Sequence, residues 1–208
     1  MEKIYLFGNG NVDFEIFRPI LVEAVINKDK KSKAGAKPYC PVMVFKILIL
    51  QRIYNISDED TEYQIIDRLS FKKFLGLASG DKVPDQNTIW GFKEKLVIKD
   101  TVSDLFNKFF SVIEEKGLII NEGQMIDATF VEAPRQRNTR AENEKIKANE
   151  GEELWNDKPN KKRHKDIDAR WTKKNNDTFY GYKNHVKVDA KSKFVVNYAV
   201  TDAAVHDS

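Results

Sequence analysis

Asp127 is the residue of this sequence whose position most needs a chemical explanation. It lies inside the apolar, β-prone run "QMIDATFV" (124–131), where a charged side chain is disfavoured. A carboxylate held by a central strand can bind a divalent ion, and two such ions can activate water or a 3′-hydroxyl against a phosphodiester. From the residue alone, an ordinary exposed or hydrogen-bonded strand aspartate is the commoner explanation.

A basic segment at residues 133–175 is the second candidate. It contains 13 Lys and Arg against 8 Asp and Glu, and Trp155 and Trp171 lie within it. Aromatic rings among cations favour contact with a nucleic-acid backbone, whereas a solvated, partly disordered charge run is the alternative. The candidate DNA contacts are Lys161, Lys162, Arg163, Lys165, Arg170, Lys173 and Lys174.

A third candidate lies in the N-terminal half. There "SDEDTEYQIIDRL" and "VPDQNTIWGFKEKL" could form a helix-turn-helix unit, although plain helix packing explains them equally well. The residues that would face a DNA groove are Asn87, Thr88, Trp90, Lys93 and Lys95. The single cysteine and three scattered histidines give no zinc spacing.

Two kinds of elements must position these residues. Residues 1–117 are predicted to form an all-helical domain, with helices that begin at Pro41, after Ser57, near Ser70, after Asp85 and after Asp100, the last ending at Gly117. Residues 118–208 change to strand periodicity at 123–131, 179–190 and 193–200. We expect the last two to form a hairpin through "DAKSK", with the Asp127 strand paired beside it.

Composition adds little about function. The net charge of +3 over 208 residues is too small to indicate nucleic-acid binding by itself. The N-terminus lacks the pattern of a signal peptide, and the longest apolar stretch is far too short to cross a membrane. The protein is therefore expected to be cytoplasmic, with no membrane partner.

Several stretches together resemble one protein family. "GAKPYCPVMVFKILILQRIYNISDEDTEYQIIDRLSFKKFLGL" and "DKVPDQNTIWGFKEKL" resemble the N-terminal domain of bacterial insertion-sequence transposases of the insertion-sequence "five" family. "MIDATFVEAP" and "DARWTKKNNDTFYGYKNHVKVDAKSKFVVNYAVTDAAVHDS" resemble the first half of their catalytic domain. The likeness covers nearly all of residues 34–208, in order.

The resemblance implies an α+β protein, in which the all-helical domain precedes an incomplete ribonuclease-H-like (mixed α/β) catalytic domain that begins with three strands. Its active site would be of the DDE type and would use Mg²⁺ or Mn²⁺. Asp127 matches the first catalytic, metal-binding aspartate, so the strand is expected to hold this carboxylate.

The second aspartate and the glutamate of such a site are expected beyond residue 208. Asp202 and Asp207 are expected in the loop that precedes the next helix and are given no catalytic role. The expected partners are double-stranded DNA at the terminal inverted repeats of the element and either further copies of the chain or a missing C-terminal half, with the protein at the bacterial nucleoid when bound. A catalytically inactive, truncated DNA-binding regulator and a decayed remnant are the alternatives.

Overall fold

The computed structural model of the chain describes residues 13–25 and 37–205. These residues belong to two compact units, Met1–Val112 and Ile113–Ser208. His206, Asp207 and Ser208 lie outside the described residues, so the expectation for Asp207 has no structural outcome. Across the described ranges, no helix is both long enough and apolar enough to cross a membrane.

The first unit is helical. A short 3₁₀ helix at Phe14–Phe17 leads into α1 (Arg18–Val25), and a longer series begins at Pro41. The series consists of α2 (Pro41–Tyr54), α3 (Asp58–Asp67), α4 (Leu69–Leu75), α5 (Gln86–Ile98) and α6 (Thr101–Glu115), the last of which spans the division between the units.

Side-chain caps start two of these helices as the sequence predicts. The Ser57 hydroxyl accepts a hydrogen bond from the Asp60 N–H at 3.1 Å, and Asp85 accepts one from the Thr88 N–H at 2.7 Å. Each cap pairs a backbone donor that the first helical turn leaves unsatisfied. The predicted starts after Ser57 and Asp85 are therefore confirmed.

The two ends of α6 differ in how well the sequence predicts them. Gly117 has a φ of +65° and ends the helix, with the Leu118 N–H donating to the Ile113 carbonyl at 3.0 Å. Asp100 has a φ of +48°, whereas the caps Ser57 and Asp85 are extended. Asp100 thus lacks the extended backbone of the other two caps, although α6 begins directly after it at Thr101, as the sequence predicts.

The core of the first unit is built around α2. Its apolar run is buried on most of its circumference, as the sequence predicts, with Ile47 fully buried and Leu50 nearly so. One polar group, Gln51, is buried among these side chains and donates to Thr61 at 2.6 Å and to Asp58 at 2.7 Å. This pairing offsets the cost of burying the amide, although its Oε1 has no partner.

The second unit contains an antiparallel sheet that confirms the α+β class. Its strands are β1 (Gln124–Glu132), β2 (Arg170–Lys174), β3 (Asp177–Asp189) and β4 (Val195–Asp202), and α7 (Arg140–Lys147) and α8 (Pro159–Lys162) lie between β1 and β2. β3 pairs with the other three strands: β1 follows one edge, while β2 and β4 follow successive parts of the other. The three predicted strands are confirmed, and β2 is a fourth strand inside the basic segment.

The β3–β4 hairpin turns where the sequence predicts. Asp189 is buried at its base and accepts hydrogen bonds from both the N–H and the hydroxyl of Ser192. Both bonds lower the pKa of the Asp189 carboxyl, and the bond from the hydroxyl has the larger effect. Lys193 completes the turn with a φ of +64°.

At Gly181 the backbone of β1 lies close against β3. Gly181 pairs with Glu132 on one side and with Arg170 on the other. Its φ is +147°, and a Cβ built there would lie 2.2 Å from the Val131 carbonyl oxygen. The sheet therefore requires glycine at this position.

We expect Gly181→Ala to destabilise the second unit by about 2 kcal/mol or more, because the methyl group must displace the β1 backbone and occupy a disfavoured φ. Gly80→Ala is the matched control, since nothing lies within 4 Å of its built Cβ. Urea unfolding of both variants, followed by circular dichroism, measures the difference. Equal midpoints for the two variants would contradict the close approach.

Candidate carboxylate site and nucleic-acid interface

Asp127 lies in the middle of β1 and is exposed. Val186 of β3 is its partner across the pair, and Val186 in turn faces Tyr198 of β4. The Asp127 Oδ1 accepts a hydrogen bond from the neighbouring Ala128 N–H at 2.8 Å. The carboxylate therefore points to solvent from a fixed strand position and is accessible to a ligand.

The edge of β1 that does not face β3 is unpaired among the described residues. β3, not the Asp127 strand, is thus central in the described sheet, which corrects the expectation of a central strand for Asp127. The side chains of Met125, Ile126 and Val131 are exposed along β1, with Ile126 71% accessible. Large apolar side chains on an unpaired strand are an aggregation risk unless another element covers them.

The residues around Asp127 do not complete a metal site. Within the described ranges, no group of three or more His, Cys, Asp or Glu side chains could hold a metal ion. Asp202 lies on the same face of the sheet, but it faces Tyr182, four residues along β3 from Val186. That offset is about 13 Å at the usual strand rise, too far for a shared ion. The described residues alone therefore do not fit a two-ion site.

Glu142 is the centre of a group of hydrogen bonds within the basic segment, residues 133–175. Thr139 and Glu142 form a capping box that starts α7, and the Glu142 carboxylate also accepts from Trp155 Nε1 at 2.6 Å and from Lys161 Nζ at 2.7 Å. The bond from Lys161 is the largest of the effects that lower the pKa of Glu142 to about 2. Lys161 and Lys165 lie 5.1 and 5.4 Å from the centre of the buried Trp155 ring.

A second group of bonds attaches the basic segment to β3. The Tyr182 hydroxyl donates to both Asp166 carboxylate oxygens, at 2.7 and 2.8 Å. The Gln136 amide donates to the Tyr180 hydroxyl and to the Asp166 carbonyl. Burial is the largest of the effects that raise the pKa of the Tyr182 hydroxyl, and the bond to Asp166 is the next largest. With its helices, strand and buried side chains, the segment is not the solvated charge run of the alternative explanation.

Four of the seven predicted DNA contacts make side-chain hydrogen bonds to other groups of the basic segment: Lys161, Lys162, Lys165 and Arg170. Besides Lys161, Lys162 Nζ donates to the Glu152 carbonyl and Asn156, at 2.6 and 2.7 Å. Lys165 Nζ donates to the Arg137 carbonyl and Asn138, and Arg170 donates to the Ile167 carbonyl and Asn149. These cations stabilise the segment whether or not they also meet DNA.

The remaining three predicted contacts are exposed. Arg163 follows α8, Lys173 lies on β2, and Lys174 ends β2 with its Nζ 5.8 Å from the centre of the Phe130 ring. Trp171, also on β2, is exposed, and the Arg135 guanidinium lies 5.6 Å from the centre of its ring. Cations and an aromatic ring therefore line β2 towards solvent.

The predicted helix-turn-helix residues lie on α5. Asn87 and Trp90 are exposed, and Trp90 is 59% accessible. Thr88 is half-buried, and Lys93 makes an ion pair with Asp58 of α3 at 2.5 Å. The exposed face of α5 thus presents Asn87 and Trp90, whereas Lys93 links two helices.

A cavity of about 600 Å³ lies between α7, β2 and the end of β4. Most of its lining was not singled out from the sequence, because the residues come from separate stretches of the chain that only the fold brings together. Its lining residues are Asn138, Asn143, Ile146, Lys147, Asn149, Ala169, Arg170, Trp171, Tyr180, Asp202 and Ala204.

Two family models match the chain. Residues 9–95 match a family described as Transposase domain (DUF772), and residues 121–208 match one described as Transposase DDE domain. The first match includes Asn87 and Trp90, and the second includes Asp127 and the whole basic segment. No solved structure matches the chain.

We expect Glu142→Gln to destabilise the second unit by about 2 kcal/mol at pH 7, because the bonds that Lys161 and Trp155 donate lose the negative charge of their acceptor. The lowered pKa means that this stability is present above the ordinary Glu value near 4.3 and is lost as the pH falls towards 2. Urea unfolding at a series of pH values from 7 to 3 should show the free energy of unfolding of the variant approaching that of the wild type.

Glu144→Gln is the matched control on the same helix. Its ion pair with Arg140 is highly exposed, so its removal should change stability by about 0.5 kcal/mol or less. Equal losses for the two variants, or a Glu142→Gln loss that is independent of pH, would contradict the role given to Glu142.

Proposed function

We propose that this chain, a member of the insertion-sequence DDE transposases, binds double-stranded DNA at the ends of its element. We further propose that it supplies the first carboxylate of the active site. The two matched transposase domains, in this order along the chain, carry the family assignment. DNA binding and dependence on a divalent metal are general properties of that family. The observation that carries the proposal is that Asp127 projects to solvent from a strand of the matched DDE domain.

Asp127 would be a ligand of Mg²⁺ or Mn²⁺, which in the complete site supplies the charge that activates the attacking oxygen. The described residues do not complete this site, so the second aspartate and the glutamate would come from sequence beyond residue 208. The unpaired edge of β1 and its exposed apolar side chains suit a further strand at this edge. In the full protein, DNA would be cut and joined at the terminal inverted repeats.

The two units would bind DNA in different ways. Asn87 and Trp90 on the exposed face of α5, near Thr88 and Lys93, would read the end sequence. Arg163, Lys173 and Lys174 would contact phosphates without reading sequence, because they are exposed on the basic segment. The enzyme would act at the nucleoid and as a multimer.

A second candidate function is DNA binding without catalysis. The exposed cations of the basic segment and the exposed face of α5 would support it, since neither surface requires a metal site. Such a protein would occupy element ends and regulate the complete enzyme. This second function predicts the same DNA binding as the first, and predicts that the binding does not depend on Asp127.

We expect the chain to bind a duplex of its element's inverted repeat, with an affinity that falls steeply as salt rises. Replacing both Arg163 and Lys173 by Ala should reduce the slope of log K against log salt by about 2, close to 0.9 for each lost phosphate contact. Fluorescence anisotropy between 50 and 200 mM salt measures the slope.

Lys191→Ala combined with Lys193→Ala is the matched control, because it removes two exposed charges at the β3–β4 turn. An equal fall in slope for both double variants would refute the specific contact surface. No binding to any duplex at low salt would refute the proposed function.

A further inference from the structure

We propose that the cavity between α7, β2 and the end of β4 receives one unpaired nucleotide of the bound DNA. The proposal rests on the DNA binding proposed above and adds a specific nucleotide subsite to it. A cavity of about 600 Å³ is in the range that binds small organic ligands. All its lining residues belong to the second unit.

Two aromatic rings provide a surface for stacking. Trp171 and Tyr180 are partners across β2 and β3, with ring centres 4.9 Å apart. Tyr180 is buried, whereas Trp171 is 46% accessible. Nucleic-acid proteins stack unpaired bases on accessible aromatic rings, because every base has a π-face, and the Trp171 indole is such a ring.

Amide groups provide the polar contacts that a base edge needs. Asn143 Oδ1 accepts a hydrogen bond from Asn138 at 3.2 Å, and Asn149 Oδ1 accepts one from Arg170 at 2.8 Å. These bonds orient both amides and leave their Nδ2 donors for a ligand. Asp202 adds a carboxylate that can accept a hydrogen bond from an exocyclic amino group.

The charge of the lining suits a phosphate. The lining contains two cations, Lys147 and Arg170, of which Arg170 is already bonded to Asn149, and one acid, Asp202. Lys173, a proposed phosphate contact, is two residues from Trp171 and therefore on the same face of β2. DNA held along this strand would thus bring a nucleotide to the mouth of the cavity.

A base within an intact duplex is stacked on both faces and paired along one edge, so it cannot enter such a cavity. It must be unpaired already or rotate out of the helix, at a cost of a few kcal/mol. The subsite would therefore favour DNA with an unpaired nucleotide over the same duplex fully paired.

The test uses two duplexes that differ only in one bulged 2-aminopurine nucleotide. We expect the chain to bind the bulged duplex about tenfold more tightly than the paired one, and 2-aminopurine fluorescence to be quenched on binding. Trp171→Ala should abolish both the preference and the quenching, whereas Trp171→Phe should keep most of both. Circular dichroism and thermal unfolding establish that each variant is folded.

Trp90→Ala is the matched control, since it removes an exposed tryptophan of the first unit and should change the affinity for both duplexes equally. Binding to both duplexes with equal affinity and no quenching would overturn the subsite and leave the proposed DNA binding intact. Absence of binding to either duplex would overturn both. Equally tight binding of free 2-aminopurine deoxynucleotide monophosphate would assign the cavity to a free nucleotide and overturn the DNA subsite.

Discussion

The pairing of β3 with three other strands is the constraint on which the second unit depends. β1 places Asp127 by its register with β3, and Gly181 allows the two backbones to approach at the end of that pairing. β2 and β4 share the opposite edge, so the cavity and the exposed cations of β2 are also fixed by β3. Tyr180 and Tyr182 of the same strand hold the basic segment through Gln136 and Asp166.

The positive charge of the basic segment has two separate uses. Lys161, Lys162, Lys165 and Arg170 are paired with acids, carbonyls and amides of the segment itself. Arg163 and Lys173 face solvent. Because a charge already held in an internal bond gains less from a phosphate, the second group should dominate the salt-dependent part of DNA binding.

The sequence predicts the elements well where one local signal decides them. Ser57 and Asp85 cap helices through their own side chains, and the apolar, β-prone residues around Asp127 predict a strand. β2 was missed because "RWTKK" has no apolar alternation and forms a strand only through its partner β3. Likewise, charge marks Lys165 as a DNA contact, but only the fold shows its bonds to Asn138 and the Arg137 carbonyl. Cavities, which join residues distant in sequence, give no local signal.

The central claim is that Asp127 is one ligand of a metal site that requires carboxylates outside the described residues. Electron paramagnetic resonance can measure Mn²⁺ binding by the 208-residue chain and by a chain extended into the reading frame that follows it in the gene. Each chain is tested with Asp127 and with Asp127→Asn. The account predicts tight binding only by the extended chain and only with Asp127 present. Tight, Asp127-dependent binding by the 208-residue chain alone, or binding by the extended chain that survives Asp127→Asn, would contradict it.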